Sequence, residues 1–130
     1  MKRSHKPVPE VKVISFGQYS GWDNADRKLP GLIELTDKVA GKIDVEFGMI
    51  VEIRHAKGRY IGYVVDHPPF RENDGSPAPP FTGEYQIRTN PARFFLGDTI
   101  RPPVEEKKGI WDLKILYLEM VLASKKIEII

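Results

Sequence analysis

The chain has 130 residues, no cysteine and a formal net charge of +2. That length holds one domain with a core of its own, and the missing cysteine excludes disulfides, a thiol nucleophile and cysteine-bound zinc. The charge is small, and Lys2, Arg3 and Lys6 contribute to it before the first apolar run. A nucleic-acid partner calls for a clustered basic face, so this balance argues against one.

Residues 1–9 are polar, carry Pro7 and Pro9, and read as a flexible arm; residues 10–130 read as a single domain. Residues 1–10 lack the apolar run of a signal peptide, and no stretch approaches the roughly 20 apolar residues of a membrane span. A cytoplasmic protein without membrane contact is the expectation, and a cysteine-free chain suits a reducing compartment.

Residues 11–19 predict a first strand, with Gly17 as a candidate bulge. Residues 20–30 are turn-rich, and 23–27 could make a turn of helix. Residues 32–39 predict a weaker strand. The clearest pattern follows. Ile43, Val45, Phe47, Met49, Val51 and Ile53 alternate with mostly polar neighbours, which predicts a strand with one buried face. Ala56-Lys57-Gly58 leads into an apolar run at 60–65, and a short gap holding glycine predicts a hairpin.

Five of the eleven prolines lie between 68 and 80, and Pro-Pro-Phe occurs at 68–70 and again at 79–81. Proline fixes φ and pushes the preceding residue to extended geometry. With a turn at Asn73-Asp74-Gly75, this predicts two stiff arms and a tight tip, crossing between sheets rather than closing a hairpin. Residues 84–89 predict another strand. Asn90-Pro91 has the form of a helix N-cap and first position, with Gly97 beyond, so a short helical turn is expected near 91–96. The tail, 111–130, fits two periods. Trp111, Leu113, Ile115 and Tyr117 alternate as in a strand; Leu113, Leu116, Tyr117, Met120 and Val121 also fit a helix. The predicted core is Val45, Phe47, Val51, Ile53, Tyr63, Val65, Ile87, Trp111, Leu113 and Ile115.

Several motifs recur in a known order: Phe16-Gly17-x-Tyr19, Gly41 through Phe47-Gly48, the proline-rich stretch, Leu96-Gly97-Asp98, and Gly109-x-Trp111. In this order the chain resembles, over residues 10–130, a family of small prokaryotic proteins of unknown function with an immunoglobulin-like β-sandwich. The resemblance implies an all-β domain of about seven strands. It implies that the tail is a terminal hairpin turning near 118–120. It brings no activity, cofactor or catalytic residue.

Chemistry is sparse. The histidines are His5, His55 and His67, with no pair at metal-ligand spacing, so neither a metal nor another cofactor is expected. Asp66-His67 is the most reactive pair, since a carboxylate can orient an imidazole base. Neighbours on a strand point to opposite faces, however, which argues against contact. No nucleophile elbow, phosphate loop or calcium loop is present.

Aromatic residues in or beside loops, Tyr19, Trp22, Phe70 and Phe81, offer a binding surface together with Asp66 and His67. For the two phenylalanines the favoured reading is that they fold back and plug an open end of the sandwich. Leu116, Leu118 and Leu122 would cluster on the outer face of a tail hairpin, where an interface or a covering loop is expected. The reading is a non-catalytic module for protein binding or self-association, with a homodimer in view. The alternative is a small hydrolase or isomerase using His67 with a distant carboxylate.

Overall fold

Strand β4 (Glu46–Arg54) is the most completely buried element, with every residue but the last out of solvent. Its inward positions, Phe47, Met49, Val51 and Ile53, belong to the alternating apolar set read from the sequence, whose first two members, the exposed Ile43 and the half-buried Val45, precede the strand. The other strands are β1 (Glu10–Tyr19), β2 (Leu32–Leu35), β3 (Lys38–Val39), β5 (Tyr60–Asp66), β6 (Phe81–Gln86), β7 (Ala92–Thr99), β8 (Gly109–Tyr117) and β9 (Met120–Ile129). One helical turn, α1 (Val104–Lys107), precedes β8. This computed structural model describes residues 8–21 and 29–130.

The strands form two sheets, with order β2-β1-β4-β7 in the first and β3-β9-β8-β5-β6 in the second. Neighbours are antiparallel except β3 and β9, which run parallel. The sheets face each other across Phe47, Met49, Val51 and Ile53 on one side, and Ile61, Val65, Trp111, Leu113, Ile115 and Ile127 on the other. The Phe47 and Trp111 rings meet edge to face, with centroids 4.9 Å apart. Offset aromatic pairs of this kind add to plain burial. Of the predicted core, Val45 and Tyr63 are half-buried and the rest are buried.

β4 is buried on its outer face as well. Ile50 packs with Tyr19 and Phe95 in a second, smaller cluster. Beside it, Gly17, Gly48 and Gly97 stand opposite one another on β1, β4 and β7. A Cβ at Gly97 would lie 2.0 Å from the Phe47 carbonyl oxygen and 2.6 Å from the Phe95 ring, so only glycine lets that ring lie down on the sheet.

Besides β6, which runs over Phe81–Gln86 rather than 84–89, the chain departs from the sequence expectations at five places. The strands number nine among the described residues, because 32–39 splits and 92–99 is a further strand. β2 stays in the first sheet and β3 joins the second, with Thr36 Oγ1 accepting the Lys38 N–H at 3.0 Å in the corner between them. Second, β4 and β5 do not form a hairpin; they belong to different sheets. Third, the proline loop does not cross between sheets. It joins β5 to β6, which pair directly from Val65–Phe81 to Tyr60–Gln86.

Fourth, 91–96 is not helical but opens β7, where Arg93, Phe94 and Phe95 pair with Glu52, Val51 and Ile50. The Asn90 side chain accepts the His55 N–H at 3.0 Å, so its capping oxygen serves a neighbouring turn instead of a helix. The helical turn falls at Val104–Lys107. Fifth, the irregularities of β1 lie at residue 14 and between Gln18 and Tyr19 rather than at Gly17.

The tail is a hairpin of β8 and β9, as the resemblance implies. Its turn is made by Leu118 and Glu119, at φ of 48° and 68°. Positive φ at both central residues is what a tight hairpin turn demands, and glycine or asparagine usually supplies it.

Candidate functional site

The residues with most chemistry converge where β5 leaves the second sheet. Asp66 ends β5, and its Oδ1 accepts the His67 backbone N–H at 3.0 Å. The chain then turns into the proline loop, and His67 is folded back under it. Its Nδ1 lies 2.8 Å from the Pro68 carbonyl oxygen and its Nε2 lies 2.7 Å from the Pro79 carbonyl oxygen. A neutral imidazole has one N–H, so it donates to one carbonyl and sets a lone pair against the other; an imidazolium donates to both.

The ring is also walled by aromatics. It stacks on Phe70 at 4.1 Å and lies 4.9 Å from Phe81 and 5.7 Å from Trp111. The Lys107 ammonium sits 4.5 Å from the Phe70 ring centroid. Trp111 Nε1 donates to the Lys107 carbonyl at 2.8 Å, which ties α1 to the same cluster. Phe70 is half-buried and Phe81 is 40% exposed, so the first folds back onto the sandwich while the second keeps a face in water.

Asp66 and His67 are joined only through the His67 main chain. No carboxylate reaches either ring nitrogen among the contacts of the described residues, and both nitrogens face carbonyls.

Two carboxylates that the sequence reading did not single out border this end. Asp98, on β7, has its carboxyl pushed up by burial. The Thr99 N–H that it accepts, and the nearby Arg101 and Lys107 cations, pull it back. Glu46, on β4, is likewise pushed up, first by burial, and the nearby Asp98 adds to that rise. The Thr99 hydroxyl donates to Glu46 Oε2. The signal for Asp98 lay in Leu96-Gly97-Asp98, a motif without a reaction attached. Glu46 gave none, since its partner Thr99 is brought opposite only by the β4–β7 register.

The other nominated residues are dispersed. Tyr19 is buried, and its hydroxyl shares a hydrogen bond of 2.8 Å with Ser15 Oγ, so it belongs to the small outer cluster and not to a loop surface. Trp22, like 23–27, lies outside the described residues. At the far end of the second sheet, Leu118 is 81% exposed at the hairpin tip, while Leu116 and Leu122 are half-buried. Leu122 is the extra residue where the β8–β9 register shifts. Leu116 and Leu118 border a shallow groove of about 410 Å³ shared with Tyr60, Gly62, Val64 and Glu84. Among the described residues no cluster of His, Asp and Glu could hold a metal ion, and no helix is long and apolar enough to cross a membrane.

Two sheets packed face to face with this strand order make an immunoglobulin-like β-sandwich. The architecture is similar to that of an immunoglobulin-like protein from Pseudomonas aeruginosa whose crystal structure was determined at 1.50 Å. The TM-score is 0.77 at 17% identity, covering 98% of this chain and 100% of that one. Likeness at that identity speaks to the fold. The chain belongs to the family described as Domain of unknown function (DUF3859), which matches residues 7–129. No curated protein matches it.

Proposed function

We propose that the protein is a non-catalytic binding module that self-associates through the outer face of its second sheet. The observation that carries this is the apolar surface around the β8–β9 turn. Tyr60, Leu118 and Val121 are all exposed there, next to the half-buried Leu116 and Val64. A soluble domain seldom leaves so many large apolar side chains together in water unless something covers them. A two-fold pair of identical patches is the commonest closed solution. Both His67 ring nitrogens lie against loop carbonyls, and no carboxylate reaches either among the described residues, which weighs against the hydrolase or isomerase reading. The cysteine-free composition supports a cytoplasmic setting.

Light scattering at micromolar concentration tests the reading. Wild type should run at about twice the 14.8 kDa chain mass, and Leu116→Glu or Leu118→Glu should return it to a monomer. A monomeric wild type removes the dimer. A dimer indifferent to both substitutions places the interface elsewhere.

A further inference from the structure

We propose that Arg54 and Arg93, held by Glu52 on the outer face of the first sheet, form a binding site for the phosphate group of a small molecule. The site lies on the other sheet from the self-association face and goes beyond that reading. Strand register builds it. Lys12 on β1 and Arg93 on β7 stand directly opposite Glu52 on β4, and Arg54 follows two residues later on the same face. Glu10 stands opposite Arg54 at the start of β1.

Glu52 is buried, and it serves two cations at once. Its Oε2 accepts the Arg54 Nε–H at 3.1 Å and its Oε1 accepts the Arg93 Nε–H at 3.0 Å. These bonds, Arg93's first, hold its carboxyl below the usual carboxylate range, so the clamp is closed at neutral pH. The guanidiniums themselves are exposed, at 58% and 53%. Each spends its Nε on Glu52, and its two terminal nitrogens make no hydrogen bond within the described residues. One carboxylate therefore fixes two forks whose donor ends stay open, and a planar fork is the group that matches phosphate oxygens.

The charges favour a dianion. Lys12, Arg54 and Arg93 meet Glu10 and Glu52, which leaves these groups with one positive charge in excess. The links at this end, 55–59 and 87–91, hold no acid. They add the exposed His55, Lys57 and Arg88 and the half-buried Arg59, which lies over the Tyr117 ring. The acids of the second sheet at this end, Glu84 and Glu119, belong to β6 and to the β8–β9 turn. A phosphate monoester carries about −1.5 to −2 charge at pH 7 and three acceptor oxygens, enough to bridge both forks. Beside Arg54 a cleft of about 360 Å³, lined by Glu10, Val11, Lys12 and Glu52, leaves room for the rest of the molecule.

The probes are inorganic phosphate and glycerol 3-phosphate, titrated into the ¹⁵N-labelled full chain against sodium chloride at matched ionic strength. The expected result is saturable shifts of the Arg54 and Arg93 Nε–H resonances and of the amides at 10–12, 52–54 and 92–94. Glycerol 3-phosphate should bind at least as tightly as the free ion; binding of the free ion alone overturns the small-molecule reading. Arg93→Lys keeps the charge and loses the fork, and should weaken binding by about tenfold, the scale of one charge-assisted hydrogen bond. Glu52→Gln separates a built site from a diffuse basic surface. Removing a negative charge tightens anion binding to a diffuse surface, whereas losing the clamp should weaken it several-fold. No saturable shift, tighter binding by Glu52→Gln, or wild-type binding by Arg93→Lys each overturns the proposal. If Glu52→Gln loses its dispersed spectrum, Arg93→Lys decides alone.

Discussion

The two links on either side of β5 behave in opposite ways. Residues 55–59 are few, contain a glycine and look like a hairpin turn, yet they carry the chain from one sheet to the other. Residues 67–80 are many, stiff and proline-rich and look like a crossover, yet they return the chain to the strand next door. Length and turn residues did not decide which strands pair. The hydrogen-bond partners of the links did.

In the short link, His55 takes φ of 62° and Gly58 takes 85°, so the chain does bend tightly. Its bonds go sideways, however: Gly58 N–H to the Ile87 carbonyl at 2.7 Å, and Ile87 N–H to the Arg59 carbonyl at 2.9 Å. Ala56 is driven into the core at 1% exposure, which fastens the link across the sandwich end. A link of five residues reaches roughly 16 Å when extended, ample for sheets about 10 Å apart.

In the long link the arms extend the β5–β6 pairing outward. The Glu72 N–H meets the Ser76 carbonyl at 2.8 Å, and the Ala78 N–H meets Phe70 at 2.9 Å. Prolines supply no N–H, so the ladder is incomplete, and the His67 side chain makes the cross-arm bond to the Pro79 carbonyl.

Substitutions on either side sharpen this contrast. The largest effect belongs to the core that the short link closes. Phe47→Ala removes a fully buried ring packed on Trp111 and should cost roughly 3 to 5 kcal/mol in denaturant unfolding. A loss under about 1 kcal/mol would mean that β4 and β8 do not share that core.

His67→Ala acts on the long link and should cost about 1 to 2 kcal/mol, the scale of lost hydrogen bonds and ring contacts. Limited proteolysis should move to the proline loop in that variant. A cut elsewhere would place the weak point outside the loop.

The β8–β9 turn supplies a third, smaller change, in the opposite direction. Leu118→Asn with Glu119→Gly relieves two left-handed side-chain-bearing residues and should stabilise by about 1 kcal/mol. A lower melting temperature would count against the turn geometry.

Smallest is the effect of Glu46→Gln. The folded Glu46 carboxyl is raised, chiefly by burial, so the folded chain holds this proton more tightly than the unfolded one. Wild-type stability from this group is full below the ordinary carboxylate range and is lost as pH rises through the raised folded value. The variant should therefore melt slightly higher at neutral pH, and the gap should close in acid. A gap that persists in acid would assign the effect to something other than ionisation.

Much of the frame was legible because single-strand periodicity is local. The alternation around Phe47 and around Trp111 fixes which residues face inward without knowing the partner strand. The same local reading fails where distant chain supplies the meaning. Asn90-Pro91 has a helix-start composition, but the Asn90 oxygen is claimed by His55 on another turn, and Phe94 and Phe95 pack on opposite faces of β7. The tail turn escaped because Leu118 and Glu119 adopt a conformation that their side chains do not advertise. At the candidate site, His67 and its aromatic neighbours were named, but their contacts were not. Asp98, Glu46 and Lys107 come from β7, β4 and α1, and no spacing in the sequence announces their meeting.

The central claim, that the proline loop is an ordered extension of β5 and β6 braced by His67, rests on one amide more than any other. Native-state hydrogen exchange should find the Ala78 amide protected in wild type and exposed in His67→Ala, with the Gly58 amide protected in both. An Ala78 amide that exchanges in wild type at the rate of a free peptide would contradict it.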